Sequence, residues 1–267
     1  MKKAFTLVEL TVVLAVLAVL ANLAVRELSR FRDGRLSAAA DRQLEEIRGA
    51  VYCRGAGGDA SGFLADMGRM PAVTNSTLSE LWRRPAGAKL YAVRHAQENL
   101  FAGAPAQLAG MAAGVYVPTG WRGPYLRLPF GRDRLLDPWG NPMEAVDDAG
   151  LARLWVSNGF AAAVSHYGPS AQASGMRRLS LLPDGGLACR LVVSPVSASA
   201  YAGDVTYAWF GPAGGTVTGA VKTAICPSPV VFEGLTPGIR ILKESRTGAA
   251  RVVDVRPGDN LVSVALP

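Results

Sequence analysis

The chain has 267 residues, of which 49% are hydrophobic and 18% charged, and this composition excludes a disordered protein. Its 30 glycines and 17 prolines favour a body rich in loops and strands. The formal charge of +7 is spread along the chain without a block of five basic residues, so nucleic-acid binding is not predicted.

The first predicted element is an apolar helix. Between Phe5 and Val25 the only ionisable side chain is Glu9, and a helix of that length spans about 30 Å, the thickness of a membrane's hydrocarbon core. A secretory signal is the alternative, but its apolar core would be shorter and would end in an A-x-A-like site. The orientation stays open, because Lys2 and Lys3 compete with the basic residues after the apolar run, which are Arg26, Arg30, Arg32 and Arg35.

The helix is predicted to continue beyond the membrane. Apolar residues recur at spacings of three and four while charged residues cover the other faces, which is the pattern of an amphipathic helix. We therefore expect one continuous helix of about 45 residues, half in lipid and half packed on a globular head. The periodic positions are Leu28, Phe31, Leu36, Ala40, Leu44, Ile47 and Val51.

The N-terminal residues resemble a known leader. The run MKKA followed by FTLVEL is similar to the class III leader of type IV pilins and of the pseudopilins of type II secretion systems. This resemblance implies that a prepilin peptidase cuts between Ala4 and Phe5, that the new N-terminus on Phe5 is methylated, and that Glu9 acts in assembly. The family usually has Gly before the cut, and here Ala4 takes that place.

Glu9 needs a compensating partner in a membrane, because a carboxylate in the hydrocarbon core costs on the order of 2.5 kcal/mol or more. In the family, cleavage creates a cationic amine on Phe5. In a filament the amine of one subunit can pair with Glu9 of another, so that two costly ions compensate each other. The alternative is that Glu9 extends toward the cytoplasmic headgroups within its own chain.

A second motif lies in the middle of the chain. Asp137-Pro138-Trp139-Gly140 predicts a tight turn, because Pro138 fixes φ, Gly140 can take a positive φ and Asp137 can cap the turn. Trp139 is expected to bury its ring against the head. The motif resembles the DPWG turn of major pseudopilins, and GWRGPYLRL at 120–128 is similar to their G-P-Y-L segment.

The next segment departs from the family. Major pseudopilins carry an acidic calcium-binding loop after this turn, whereas segment 154–175 contains no Asp or Glu. Asp147 and Asp148 come before the expected loop. Because hard cations need several oxygen ligands, usually carboxylates, we predict no calcium, and no other metal or cofactor.

From about residue 176 onward, seven short alternating segments bounded by Gly, Pro, Asp or Asn predict a small β-sandwich. Residues 232–240 weakly resemble the F-x-x-L-x-P-G turn of carboxypeptidase-regulatory-like modules. Cys189 and Cys226 are the favoured disulfide pair in this tail, with no disulfide as the alternative. The tail is expected to be self-contained and to contact a partner; the alternative is that it stabilises the head in place of the missing acidic loop.

No catalytic motif occurs in the sequence. It lacks a Walker loop, GxGxxG, HExxH and GxSxG, and it has only two histidines, His95 and His166. Ser165 beside His166 does not form a catalytic pair, because adjacent residues on a strand point to opposite faces. We predict that the protein is not an enzyme, with a single-pass membrane enzyme as the least favoured class.

Together these features predict an α+β chain that is a structural subunit, a pseudopilin, of a type II secretion filament. Its expected location is the bacterial inner membrane, crossed once, with the head in the periplasm. The implied partners are other pseudopilins, the prepilin peptidase and the inner-membrane assembly platform. The alternative is a minor type IV pilin whose C-terminal domain binds DNA, a surface or a substrate.

The predicted parts are a leader (1–4), a transmembrane helix (5–25), an amphipathic stalk helix (26–55), a pseudopilin-type antiparallel-sheet head (56–175) and a β-sandwich-like domain (176–267).

Overall fold

One long helix forms the N-terminal part of the structure, which is a computed structural model describing residues 7–54, 60–148, 151–157, 176–180, 189–197 and 203–266. This helix, α1, runs over Leu7–Val51 without a break and has 45 residues. The continuous helix predicted from the apolar periodicity is therefore confirmed. Together with the sheets described below, it makes the chain an α+β protein.

The apolar stripe of α1 is only partly covered. Ala40, Leu44 and Ile47 are buried, whereas Leu28 is 69% and Phe31 is 64% exposed. Leu36, between these two groups, is half-buried. Packing on the stripe thus begins about three turns after the end of the apolar run, later than the sequence pattern predicted.

Short elements follow α1. Strands β1 (Cys53–Arg54) and β2 (Ala60–Ser61) form an antiparallel pair, as do β3 (Ala92–His95) and β4 (Tyr116–Thr119). Strands β5 (Glu144–Asp148) and β6 (Leu151–Ser157) are antiparallel too, and β7 (Met176–Ser180) is the third strand of their sheet. The helical elements are α2 (Phe63–Met67), a 3-10 turn (Ser79–Leu81), α3 (Ala96–Asn99) and α4 (Ala106–Met111).

All seven strands expected in the tail are present. They are β8 (Cys189–Ser197), β9 (Asp204–Ala213), β10 (Thr216–Ile225), β11 (Val230–Leu235), β12 (Gly238–Glu244), β13 (Ala250–Val255) and β14 (Gly258–Leu266). Their strand orders are β10-β9-β12-β13 in one sheet and β11-β8-β14 in the other. The four-stranded sheet is antiparallel, while β14 pairs with β8 in parallel. Residues of both sheets meet in one core, which includes Leu191, Val193, Phe232, Val205, Tyr207 and Leu242.

The central strands of the four-stranded sheet, β9 and β12, are buried on both faces. Successive side chains of a strand point to opposite faces; on β9, Val205 and Tyr207 enter the core shared with the smaller sheet. Ala208 and Phe210 point the other way and pack in a second core with Leu108 of α4 and with other residues of the chain middle, among them Ala96, Met111, Val115 and Val117. Tail strands and the middle of the chain therefore share a core.

Backbone contacts join the same two regions. The amide of Phe101 donates to the carbonyl of Val217 at 3.0 Å, and the amide of Gly214 donates to the carbonyl of Met67 at 2.8 Å. Gly68 lies so close to β9 that a Cβ there would be 1.8 Å from the carbonyl oxygen of Pro212. This packing favours the alternative in which the tail stabilises the head over a self-contained tail.

The chain divides into two compact units. One comprises Met1–Gln43, Leu136–Pro142 and Val156–Arg177. The other comprises Leu44–Leu135, Met143–Trp155 and Arg178–Pro267, and it includes both cores of the four-stranded sheet.

Candidate functional site

The N-terminal half of α1 presents an exposed and largely apolar surface. By length and composition α1 can cross a membrane, and none of the side chains in its most apolar stretch is buried within the structure. Leu10, Leu14 and Leu17 are each more than half exposed. Exposing this surface to water is unfavourable, because burying one leucine side chain stabilises a protein by about 1.5–3 kcal/mol relative to leaving it in water. The helix therefore fits a lipid or protein environment along this length.

Glu9 lies in the first turn of this helix. Its position near the N-terminal end places the carboxylate at the positive end of the helix dipole. Nearby, the Thr11 hydroxyl donates to the carbonyl of Val8 at 2.8 Å, which satisfies a second polar group of the apolar run. The predicted cleavage residues Ala4 and Phe5 lie outside the described residues.

Four arginines follow the apolar run. Arg26, Arg30, Arg32 and Arg35 are all exposed. Arg30 forms an ion pair of 3.0 Å with Glu27, one turn earlier. The guanidinium of Arg35 lies 5.6 Å from the centre of the Phe31 ring. The apolar surface of the helix thus ends in a short region of exposed positive charge.

The DPWG motif forms a capped turn. Oδ1 of Asp137 accepts the amides of Trp139 at 3.0 Å and Asn141 at 2.7 Å, and the Asp137 carbonyl accepts the amide of Gly140 at 2.9 Å. Gly140 has a φ of 89°, which a residue with a Cβ rarely adopts. The cap explains why a carboxylate is buried here, because two backbone donors replace its water.

The turn is attached to α1 through its backbone. The Gln43 side chain donates to the carbonyl of Leu136 at 2.8 Å, within the same compact unit. Trp139, which we expected to bury its ring, is only half-buried. Anchoring in this turn therefore comes from Asp137 and Gln43 more than from the tryptophan.

A polar cluster holds the G-P-Y-L segment. Asp66 of α2 is 6% exposed; its Oδ1 lies 3.1 Å from a guanidinium nitrogen of Arg122, and its Oδ2 accepts the Tyr125 hydroxyl at 3.1 Å. The same hydroxyl accepts the amide of Arg122 at 2.9 Å, and the guanidinium lies 4.0 Å from the centre of the Tyr91 ring. Sequence reasoning missed Asp66, although one carboxylate inside the apolar run FLADM was an available signal.

Burial dominates the electrostatics of this cluster. It raises the pKa of Asp66 above the usual value, while Arg122 and the Tyr125 hydroxyl act in the opposite direction. Burial also raises the pKa of Tyr125, and Asp66 adds to that rise. The tyrosine therefore remains a neutral donor. The cluster ties segments that are 59 residues apart, and this is a structural role.

A buried arginine stabilises the turn between β11 and β12. Arg240 is 1% exposed and donates to the carbonyls of Ile239 at 2.9 Å and Thr236 at 2.6 Å, and also to the Thr236 hydroxyl. Its guanidinium crosses Gly211, where a Cβ would be 2.5 Å from Cδ of the arginine. Burial lowers the pKa of Arg240 to about 10, so the side chain is still charged near neutral pH.

The predicted disulfide is not formed. None of Cys53, Cys189 and Cys226 forms a disulfide, and the latter two line the core between the sheets. Cys226 follows Ile225, which pairs with Asp204 at the start of β9. Cys189 interacts instead with Arg240, beside Gly211 near the end of β9. About 23 Å of strand separates these two places, far beyond the roughly 7 Å between Cα atoms that a disulfide tolerates.

Metal ligands and catalytic groups do not converge in the described part of the chain. No group of three or more His, Cys, Asp or Glu residues suited to a metal ion occurs there. The ring of His95 lies 5.0 Å from that of Tyr116, and its Nδ1 is 3.8 Å from Glu98. His166 and most of segment 154–175 lie outside the described residues, as does Ser165.

Comparison of the chain with protein-family models, with curated proteins and with solved structures gives no match.

Proposed function

We propose that this protein is a pseudopilin, a structural subunit of a type II secretion filament. The observation that carries the proposal is α1: a single 45-residue helix whose apolar first half is exposed and whose last turns pack. A subunit of this shape can be stored in a membrane through its apolar half and can then exchange lipid for the helices of other subunits. The class III leader motif at residues 1–9 supports the same function.

In the proposed filament, the amine of Phe5 on one subunit neutralises Glu9 of a neighbour. Both groups are costly in an apolar layer when alone, and both become tolerable as a pair. The proposed partners are other pseudopilins, the prepilin peptidase and an inner-membrane assembly platform. In this proposal the head lies in the periplasm. We also propose that residues 56–175 have the antiparallel-sheet arrangement of a pseudopilin head.

The second candidate is a minor type IV pilin whose tail contacts DNA, a surface or a substrate. Its support is the size of the tail, in which the described residues include the seven strands β8 to β14. The DPWG and G-P-Y-L resemblances favour the secretion system.

Processing tests the proposal directly. Intact-mass measurement of the protein purified from membranes of cells that contain a prepilin peptidase should show loss of residues 1–4 and gain of one methyl group. Cells without the peptidase provide the control and should yield the full mass. A mature chain that still begins at Met1 in the presence of the peptidase, or that is cut near Ala24, would contradict the pilin-type function.

A further inference from the structure

The proposed function assigns no role to the arginines that follow the apolar run. The inference drawn from them rests on that function only in requiring that the helix crosses a membrane. An apolar run that ends at Val25 places Arg26 at the edge of the hydrocarbon core. A further 1.1 to 2.5 turns of helix, roughly, carry Arg30, Arg32 and Arg35 through and just beyond the headgroup layer.

The direction of helical side chains brings these charges back toward the membrane. In an α-helix the Cα–Cβ bonds tilt toward the N-terminus, and long side chains lie over the preceding turn. Since the N-terminal part of α1 is the apolar run, the arginines lean toward the headgroups and away from the head. Long aliphatic stems let the guanidinium groups reach them.

The charges surround the helix. At 100° per residue, Arg26 and Arg30 lie on one side, whereas Arg32 and Arg35 lie on the opposite side. Leu28 and Phe31 are exposed among them. A protein partner would contact one face of the helix, but a headgroup layer surrounds it and accepts both apolar and cationic side chains. The distribution therefore fits a lipid surface better than a protein groove.

Internal carboxylates neutralise little of this charge. Glu27 pairs with Arg30. Within the described residues, Arg26, Arg32 and Arg35 form no ion pair with a carboxylate, and all three are exposed. Guanidinium groups bind phosphate oxygens through two parallel hydrogen bonds, which makes arginine well suited to phospholipid headgroups.

We propose that Arg26, Arg32 and Arg35 bind the phosphate groups of anionic phospholipids in the leaflet through which α1 leaves the membrane. This contact sets the depth of the helix and holds the unassembled subunit in an anionic lipid shell. Each arginine near an anionic surface strengthens association by about fivefold. Added salt weakens it, because the contacts lie within reach of counterions.

The test reconstitutes the full chain into bilayers of phosphatidylcholine that contain a trace of spin-labelled lipid. Electron paramagnetic resonance reports the fraction of labelled lipid held at the protein surface, separately for a phosphatidylglycerol probe and a phosphatidylcholine probe. The wild-type protein should prefer the anionic probe by about fivefold or more, and the preference should fall in high salt. In the variant R26Q/R32Q/R35Q the two probes should bind equally.

Two controls separate position and chemistry from net charge. The variant R84Q/R127Q/R132Q removes the same charge from exposed arginines outside α1 and should keep the preference. Replacing the three arginines by lysine should retain most of it, because the charge remains. All measurements use a K2Q/K3Q background, so that the leader lysines, when uncleaved, do not hold anionic lipid at the other end of the helix.

The outcomes distinguish this inference from the proposed function. The proposed lipid contact is overturned if the wild-type chain restricts both probes equally, or if the preference for the anionic probe survives in R26Q/R32Q/R35Q. Either result leaves the filament function intact. A chain that restricts neither probe is not inserted, and the proposed function then fails with it. Loss of the preference in the R84Q/R127Q/R132Q variant as well would show a general charge effect and would also overturn the inference.

Discussion

Two carboxylates of this chain lie in apolar surroundings, where a charge is costly. Glu9 is in an apolar helical surface, and Asp66 is in the packed head. Asp66 has its compensation within the chain, from Arg122 and Tyr125. For Glu9 in a membrane we propose an intermolecular partner, the amine of Phe5. The two residues therefore predict different consequences: one for assembly and one for stability.

Replacing Glu9 by Leu removes the proposed partner of the amine. Glu9→Leu should still insert and be cleaved, because the peptidase acts at the Ala4–Phe5 junction, but incorporation into filaments should fall at least tenfold. Cysteine crosslinking between subunits in membranes measures this, with Thr11→Leu as a control for added apolar surface. Undiminished crosslinking in Glu9→Leu would show that the ion pair does not direct assembly.

Asp66 should make stability pH-dependent. Because its pKa in the folded chain is raised above the usual 3.8, folding favours the protonated form. Its stabilising contribution is complete at pH values below the unfolded pKa and is lost as the pH rises through the folded pKa. Urea unfolding at pH 3 to 7 should show this decline in wild type and a flatter profile in Asp66→Asn. If the free energies of unfolding of the two proteins differ by the same amount at every pH, the raised pKa of Asp66 is contradicted.

At the scale of elements, α1 changes its environment along its length. Its first half is exposed, and its last two turns are packed, with Leu44 4% exposed and Ile47 fully buried. The same apolar periodicity is thus exposed at one end of the helix and forms part of a core at the other. Neither environment leaves backbone hydrogen bonds unsatisfied, because the helix pairs its own amides and carbonyls.

Leu28 and Leu44 provide a matched pair for this difference. Leu44→Ala should lower the free energy of unfolding by about 2–5 kcal/mol, because it leaves a cavity in the packed unit. Leu28→Ala should change it by less than about 0.5 kcal/mol, because that side chain is exposed. Denaturant unfolding of the chain in detergent, followed by tryptophan fluorescence, measures both. Similar effects at the two positions would mean that the stripe packs along its whole length.

At the scale of the whole molecule, the four-stranded sheet is the element on which the rest of its compact unit is built. The smaller sheet covers one face, and α4 with its neighbours covers the other. A basic side chain bridges the two sheets at each side: Lys222 donates to the carbonyl of Val231, and Arg251 donates to that of Ser263. Lysine and arginine there also oppose edge-to-edge pairing with other chains.

Gly68 tests whether the tail and the chain middle stabilise each other. Gly68→Ala and Gly87→Ala both place a Cβ at positive φ, 69° and 76° respectively. Only at Gly68 would the Cβ collide, with the carbonyl oxygen of Pro212 on β9; Gly87 has open space. Gly68→Ala should therefore lower the free energy of unfolding by about 1–3 kcal/mol more than Gly87→Ala.

The measurement is thermal or urea unfolding of both variants beside the wild type. Equal destabilisation by the two alanines would show that α2 does not pack on β9, and that the tail folds independently of the head. A larger loss in Gly68→Ala within a single cooperative transition would establish the shared core.

Much of the fold was predictable from the sequence because it depends on local patterns. The spacing of Leu44, Ile47 and Val51 predicts a helix, and alternation within each tail segment predicts its strand. Asp137 was predictable as a turn cap, because its partners lie within four residues. The polar cluster was not, since Asp66 and Tyr125 are 59 residues apart and neither sequence neighbourhood specifies the other.

Local sequence patterns were enough to place α1 and the tail strands, because hydrogen bonds within a helix and side-chain alternation along a strand follow from neighbouring residues. Tertiary structure alone decided what each apolar face meets. On β9, Tyr207 and Phe210 are both apolar and point to opposite faces, a signal of a strand buried on both sides. Strand order and register decide which residues cover those faces, because they bring together residues that are distant in sequence. They also decide that Cys189 and Cys226 lie far apart.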